Sequence, residues 1–152
     1  MILSIDIGIK NFGVCVYDKE NSCMKYLDNI DFFPYNVDKL ILFMNDLIEK
    51  YTITETIIEK QLPQNYKACL VAAHLEVYFK LKLPECELKF QSSKLKGIGK
   101  QSNYRERKIS SIKKACDFLK EKEPDFYAIL QEAKKKDDMA DAICQLMYYY
   151  NI

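Results

Sequence analysis

An α/β fold on a five-stranded mixed sheet is what this sequence predicts, and three observations predict it. Three short apolar, β-branched runs fall within the first 33 residues, joined by links too short for helices, which reads as an antiparallel meander. Two further short apolar runs then alternate with segments of helical period, the pattern of parallel strands joined by crossover helices. The last third of the chain carries only helical patterning.

Taken in order, Ile2–Ile7 is apolar enough for a central strand and Gly8 ends it. A short loop at Ile9–Asn11 leads into the second strand, Phe12–Tyr17, and Met24–Phe33 alternates loosely as the third. Val37, Leu40, Ile41, Met44, Leu47 and Ile48 follow helical spacing, so Asn36–Lys50 is an amphipathic helix. Glu55–Glu59 is a short strand. Gln64–Lys80 is a helix that is apolar nearly all round and rich in small residues, which makes it either a buried core helix or a subunit interface. Glu85–Gln91 is the fifth strand, and Ser92–Ser102, with two glycines and three lysines, reads as a flexible loop. Tyr104–Lys120 is a basic helix with Ile109, Ile112, Cys116 and Leu119 as its expected buried stripe. Pro124 can start a short helical segment, and Asp138–Tyr150 is the last helix. The main order is βββ-α-β-α-β-α-α, without repeats or a dividing linker, so residues 1–152 are expected to form one domain.

With 49% hydrophobic and 30% charged residues the chain is ordinary for a globular protein. No window approaches the ~18 apolar residues of a membrane span, and the N-terminus has no basic leader, so a soluble, intracellular protein is expected. Six scattered cysteines without a C-x-x-C pair argue against disulfides and zinc. His74, the single histidine, lies in an alanine-rich apolar stretch and reads as a packed side chain. The formal charge of +1 is uneven: Lys89–Lys114 holds nine basic residues and one acid. Such a segment suits a polyanion, or is simply a solvated surface.

Four acids stand out. Asp6 ends an otherwise apolar strand, where a buried carboxylate is costly unless paired or metal-bound, although capping of the next turn would also place it there. Glu59 ends the fourth strand in the same way. If that strand lies beside the first, the two carboxylates converge at one sheet edge, where α/β folds hold ligands. Asp138 and Asp141 lie one turn apart on one face of the last helix. Capping explains Asp137 or Asp138 well and Asp141 poorly. Clustered carboxylates call for a hard cation with oxygen ligands, magnesium above all, and two such ions serve phosphodiester hydrolysis.

The runs Ser4-Ile5-Asp6-Ile7-Gly8-Ile9-Lys10-Asn11-Phe12-Gly13, Ile57-Ile58-Glu59-Lys60-Gln61 and Asp138-Met139-Ala140-Asp141-Ala142 resemble those of the RuvC-like Holliday junction resolvases. The wording is nearest the poxvirus branch, and the Asp-x-Gly-Ile-Lys-Asn opening is shared with the fungal mitochondrial branch. Ile7 stands where bacterial members usually have proline. The resemblance covers essentially the whole chain. It implies an RNase H-like fold, a homodimer that nicks four-way DNA junctions symmetrically, and two Mg2+ ions, with Mn2+ as a substitute. It further implies metal binding by Asp6, Glu59, Asp138 and Asp141, with Asp137 a rival for Asp138. Lys108 matches the basic residue near the scissile phosphate, with Arg105 and Arg107 as alternatives. DNA contacts are expected from Lys10, Asn11, Gln61, Lys94, Lys96, Lys100, Arg105 and Arg107, with Tyr66 and Tyr104 as candidate stacking residues. A viral member would act in the host cytoplasm, without a small-molecule cofactor or a membrane.

Two other classes share part of the pattern. Actin-like ATPases have the Asp-x-Gly opening, but need two such domains and further phosphate loops. A branched-nucleic-acid-binding module would share the basic segment without cutting, and gives no role to the four acids.

Overall fold

The computed structural model describes residues 1–92 and 103–152. Five strands, β1 (Ile2–Asp6), β2 (Phe12–Asp18), β3 (Cys23–Ile30), β4 (Glu55–Lys60) and β5 (Glu87–Ser92), form one sheet in the order β3-β2-β1-β4-β5. The first three pair antiparallel, while β4 joins β1 and β5 joins β4 in parallel. The expected mixed sheet is present, with β4 beside β1. The helices are α1 (Val37–Lys50), α2 (Tyr66–Lys82), α3 (Tyr104–Lys122), α4 (Pro124–Glu132) and α5 (Lys136–Tyr150).

Strand alternation divides the interior into two layers. Leu3, Ile5, Val14, Val16 and Ile58 face α1 and α2. Ile2, Cys15, Tyr17 and Ile57 face α3, α4 and α5. Since β1 alternates, Ser4 and Asp6 share the face of Ile2 and so lie under α5. Glu59 shares the face of Ile57 for the same reason.

Several boundaries differ from the sequence expectation. The third strand ends at Ile30, not Phe33, because the Asp31 carboxylate accepts from Phe33 N at 2.8 Å and Phe32 N turns back to Ile9 O at 2.8 Å. Helix α2 starts at Tyr66 because the Asn65 side chain caps it by accepting from Ala68 N. Helix α5 starts two residues before Asp138. The Pro124 segment is a helix of nine residues, so three helices follow β5. The stripe expected on α3 holds at Ile112, Cys116 and Leu119, which pack into the core, and fails at Ile109. Ser111, Ala115, Phe118 and Leu119 are buried while Ile109 is exposed, because α3 meets α5 across small side chains: Cys144 Sγ donates to Ser111 O at 3.4 Å. Ser92 closes β5, and the rest of the expected Ser92–Ser102 loop lies outside the described residues.

Helix α2 resolves into two faces. Ala68, Val71, Leu75 and Phe79 are buried against the sheet, whereas Tyr66, Leu70, Val77 and Leu81 form an exposed stripe. His74 is packed as expected, stacked on Tyr35 and sharing a 2.7 Å hydrogen bond with its hydroxyl. All six cysteines are free. No helix among the described residues is long and apolar enough to cross a membrane.

Gly13 sets how closely α5 approaches the sheet. A Cβ there would stand 2.1 Å from the Asp138 carbonyl oxygen, so only glycine admits the helix backbone at this distance. Gly13→Ala should therefore cost about 3 kcal/mol or more, beyond ordinary overpacking because the neighbour is backbone. Urea unfolding is the measurement.

At the opposite end of the sheet, Tyr150 of α5 and Lys89 of β5 both donate hydrogen bonds to Glu55 of β4. These bonds, Tyr150 foremost, hold the Glu55 carboxyl below its ordinary range against the effect of burial. A lowered folded pKa contributes stability that is full above the ordinary carboxylate range and is lost as pH falls through the folded value. Urea titrations from about pH 7 to about pH 3 should thus show wild type losing more stability on acidification than Glu55→Gln.

Candidate active site

Asp6 closes β1 and is buried at 8% exposure. It pairs in register with Gly13 of β2, the glycine against which the Asp138 backbone packs. On its other side, Ile5 pairs with Ile58, and the next residues along each strand are Asp6 and Glu59. Glu59 is half-buried, and its carbonyl accepts from the Gln61 side-chain amide at 3.0 Å. The sheet thus brings both strand-end acids to one edge, on the α5 face.

The rotation of α5 is fixed by Gln145. This side chain is 1% exposed. Its amide nitrogen donates to Ile57 O at 3.0 Å, with longer contacts to Ser4 Oγ at 3.3 Å and Ile5 O at 3.4 Å. Ser4 Oγ in turn donates to Ala142 O of α5 at 2.8 Å. A buried donor is held where its bonds are met, and the Gln145 amide nitrogen therefore turns toward β1 and β4, while its oxygen has no partner among the described residues. Asp141 and Asp138 precede it by four and seven residues, which places them on the same helical stripe, above the strand-end acids.

The doublet at the start of α5 is split between two environments. Asp137 is buried and forms an ion pair with Lys108 of α3. Despite burial, that partner holds its carboxyl below the ordinary range. Lys108 is shifted the other way: burial opposes its charge, but Asp137 and Tyr104 raise its pKa. Asp138 lies 4.0 Å from the same ammonium, and its second oxygen is buried with no hydrogen-bond partner among the described residues. Burial first, then the neighbouring charge of Asp137, with a smaller push from Asp6, raises its carboxyl to about 6.

These features fit a hard cation. The donors are all carboxylate oxygens, one of them buried and unmet, and the raised pKa records how poorly an isolated proton-free carboxylate is tolerated there. The acids are not preassembled into a cage: no three such side chains among the described residues stand close enough to hold a metal as they are. Carboxylates without a cation between them repel, which opposes such a cage.

The expected DNA contacts are distributed unevenly. Lys10 is exposed at the tip of the Gly8–Asn11 turn, with its ammonium 4.6 Å from the Phe33 ring centroid. The Asn11 carbonyl lies where a Cβ on Gly8 would fall, 2.1 Å away, so the turn is tight. Gln61 is half-buried on Glu59, while Arg105 and Arg107 are exposed in the first turn of α3. Lys94, Lys96 and Lys100 lie outside the described residues. Tyr66 and Tyr104 are both exposed, each with a lysine near its ring, Lys67 at 6.0 Å and Lys108 at 5.1 Å.

A family model described as Poxvirus A22 protein matches residues 1–151. The chain belongs to that family. Among curated proteins, the uncharacterized protein 170L of Invertebrate iridescent virus 6 is 30% identical over 142 residues. That match covers 76% of this chain and 58% of the relative, so the chain spans little more than half of the relative's length. Among solved structures, the fowlpox virus Holliday junction resolvase superposes with TM-score 0.75 at 22% identity, covering 99% of this chain and 97% of that one. Thermus thermophilus RuvC in complex with a Holliday junction substrate follows at TM-score 0.62 and 14% identity, covering 98% and 93%. At such identities the likeness is one of fold, and the fold is the RuvC-like, RNase H-like one that the motifs implied.

Two features of this site escaped the sequence reading. Asp137 was weighed only as a rival for Asp138, and its partnership with Lys108 needed the packing of α3 on α5. Gln145 carried a signal, a polar side chain four residues after Asp141 amid apolar neighbours. The Lys108–Asp137 pair yields a prediction: Lys108→Met leaves a buried carboxylate unpaired and should destabilise more than the double change with Asp137→Asn. A double-mutant cycle in urea should return a coupling of about 1–3 kcal/mol.

Proposed function

We propose that this chain is a divalent-metal-dependent endonuclease that resolves four-way DNA junctions by paired, symmetric nicks. The observation that carries the reading is the half-buried Asp138 carboxylate, one oxygen of which is buried and unmet among the described residues, held by α5 over the end of the sheet where β1 closes in Asp6 and β4 carries Glu59. Membership of the Poxvirus A22 protein family and a fold shared with proteins described as Holliday junction resolvases support it.

In this reading Asp6, Glu59, Asp138 and Asp141 hold two magnesium ions, which manganese can replace. Bound there, the metals supply a nucleophilic water and neutralise charge on the leaving oxygen. The chain's own groups do the rest. Lys108 presents a positive charge to the scissile phosphate, and Asp137 holds that ammonium in place and keeps it protonated. Arg105 and Arg107, with Lys94, Lys96 and Lys100 of the basic segment, engage backbone phosphates and make affinity salt-dependent. Lys10, Asn11 and Gln61 flank the acids and contact the same strand.

A two-fold symmetric junction is matched by a two-fold symmetric enzyme. We assign the dimer contact to the exposed α2 stripe of Tyr66, Leu70, Val77 and Leu81. The whole chain acts as one nuclease domain, and a viral setting places it in the host cytoplasm.

The test is a synthetic four-way junction with magnesium. Wild type should cut it, and Asp6→Asn or Asp138→Asn should slow cutting at least about a hundredfold while junction binding in chelator persists. Undiminished cleavage by either variant would sink the ligand assignment. Tight junction binding without any metal-dependent cutting would identify a binding module instead.

A further inference from the structure

Phe33 behaves unlike its neighbour. Phe32 is buried, packed edge-on against Phe12 and Phe43 with centroids 5.2 Å and 5.8 Å away. Phe33 points outward and stays 58% exposed. Its backbone is nevertheless tied down. Phe32 N donates to Ile9 O at 2.8 Å, Phe33 N donates to the Asp31 carboxylate at 2.8 Å, and three residues on the Asn36 side chain caps α1. A ring presented on a fixed backbone is preorganised, and covering it costs little ordering entropy.

The backbone that carries the ring leaves the sheet at the end where β1 closes in Asp6. Ile30, where β3 ends, pairs with Phe12, and the following residue of β2, Gly13, pairs with Asp6. Two inter-strand spacings separate β3 from β1, about 10 Å. The Lys10 ammonium lies over the ring, 4.6 Å from its centroid.

We propose that Phe33 and Lys10 form a stacking platform for an unpaired base close to the branch point, Phe33 taking the base face and Lys10 the adjoining phosphate. The proposal rests on the junction-cutting reading and adds to it a site that selects for unstacked DNA. A nucleotide is the partner whose chemistry fits, because it offers a π face and a negative charge side by side. An apolar peptide would have to desolvate the lysine without compensating it. Tyr104, exposed in the first turn of α3, repeats the pairing of ring and lysine, with the Lys108 ammonium 5.1 Å from its centroid. The long lysine stem lets the ammonium slide from ring to phosphate when a base arrives.

The chain contains no tryptophan, so Phe33→Trp introduces a single fluorophore at the proposed contact. In chelator, its emission should be quenched by a four-way junction and little changed by a continuous duplex. Phe33→Ala, with an unchanged melting temperature, should weaken junction binding about tenfold, and Phe33→Tyr should restore most of it. Lys10→Met should weaken binding and shallow its salt dependence. If wild type binds junctions and Phe33→Ala binds equally well, or duplex quenches the indole as strongly as the junction does, the platform is wrong and the nuclease reading stands. If wild type does not bind junctions at all, both fail together.

Discussion

The amide of Gln145 is the constraint on which the geometry of the site depends. It is polar, buried and reaches the backbone of two neighbouring strands from a helix that lies across them. An apolar side chain at this position would pack in several rotations. The amide nitrogen must meet its hydrogen bonds, and one rotation of α5 brings it to Ile57 O, Ser4 Oγ and Ile5 O, while the amide oxygen finds no partner among the described residues. A helix turns 100° per residue, so fixing one side chain fixes every other on its stripe. Asp138 and Asp141 therefore owe their direction to a residue that itself carries no charge. The far end of the same helix is held by the Tyr150–Glu55–Lys89 cluster, and the near end by Gly13. Between these three points α5 is set in rotation, distance and tilt.

On that frame, two adjacent aspartates acquire opposite properties. Asp137 faces α3 and is stabilised in its charged form by Lys108. Asp138 faces the sheet edge, where burial and the charges of Asp137 and Asp6 make its charged form costly. One residue of helical rotation separates a carboxylate paired closely with Lys108 from one that meets the same ammonium only at 4.0 Å. In the proposed reading, Lys108 would then be secured by a residue outside the metal-ligand set.

The mixed sheet and the strand-end acids were legible because they depend on short-range patterning: alternation, period and a carboxylate at the end of an apolar run. The adjacency of β4 and β1 was only a condition of that reading, and the structure supplies it. The α3 stripe was read correctly at Ile112, Cys116 and Leu119 and wrongly at Ile109, because periodicity identifies an apolar face but not the size of its partner; Ile109 lost its place to Ser111 and Ala115, which admit α5 more closely. Helix α2 looked apolar all round, and only packing could separate its Val71 face from its Val77 face. Asp137, Gln145 and Phe33 were missed for a common reason. Each acquires its role from an element distant in sequence, and nothing in the local pattern of a doublet, a mid-helix glutamine or a paired phenylalanine names that partner.

Gly13 has a consequence for the mechanical character of the cleft. Where a helix rests on side chains, its distance from a sheet can relax by rotamer changes, and the gap behaves as a soft cushion. Here the Asp138 carbonyl rests on the strand backbone itself, in the space of a single hydrogen. The gap is set by covalent geometry, which hardly yields. Were Asp6 and Asp138 to hold an ion as proposed, the walls carrying them would have a fixed separation, and a mismatch in ionic radius would be taken up by the carboxylates or not at all. Discrimination among metals would then be a property of the backbone as much as of the ligands.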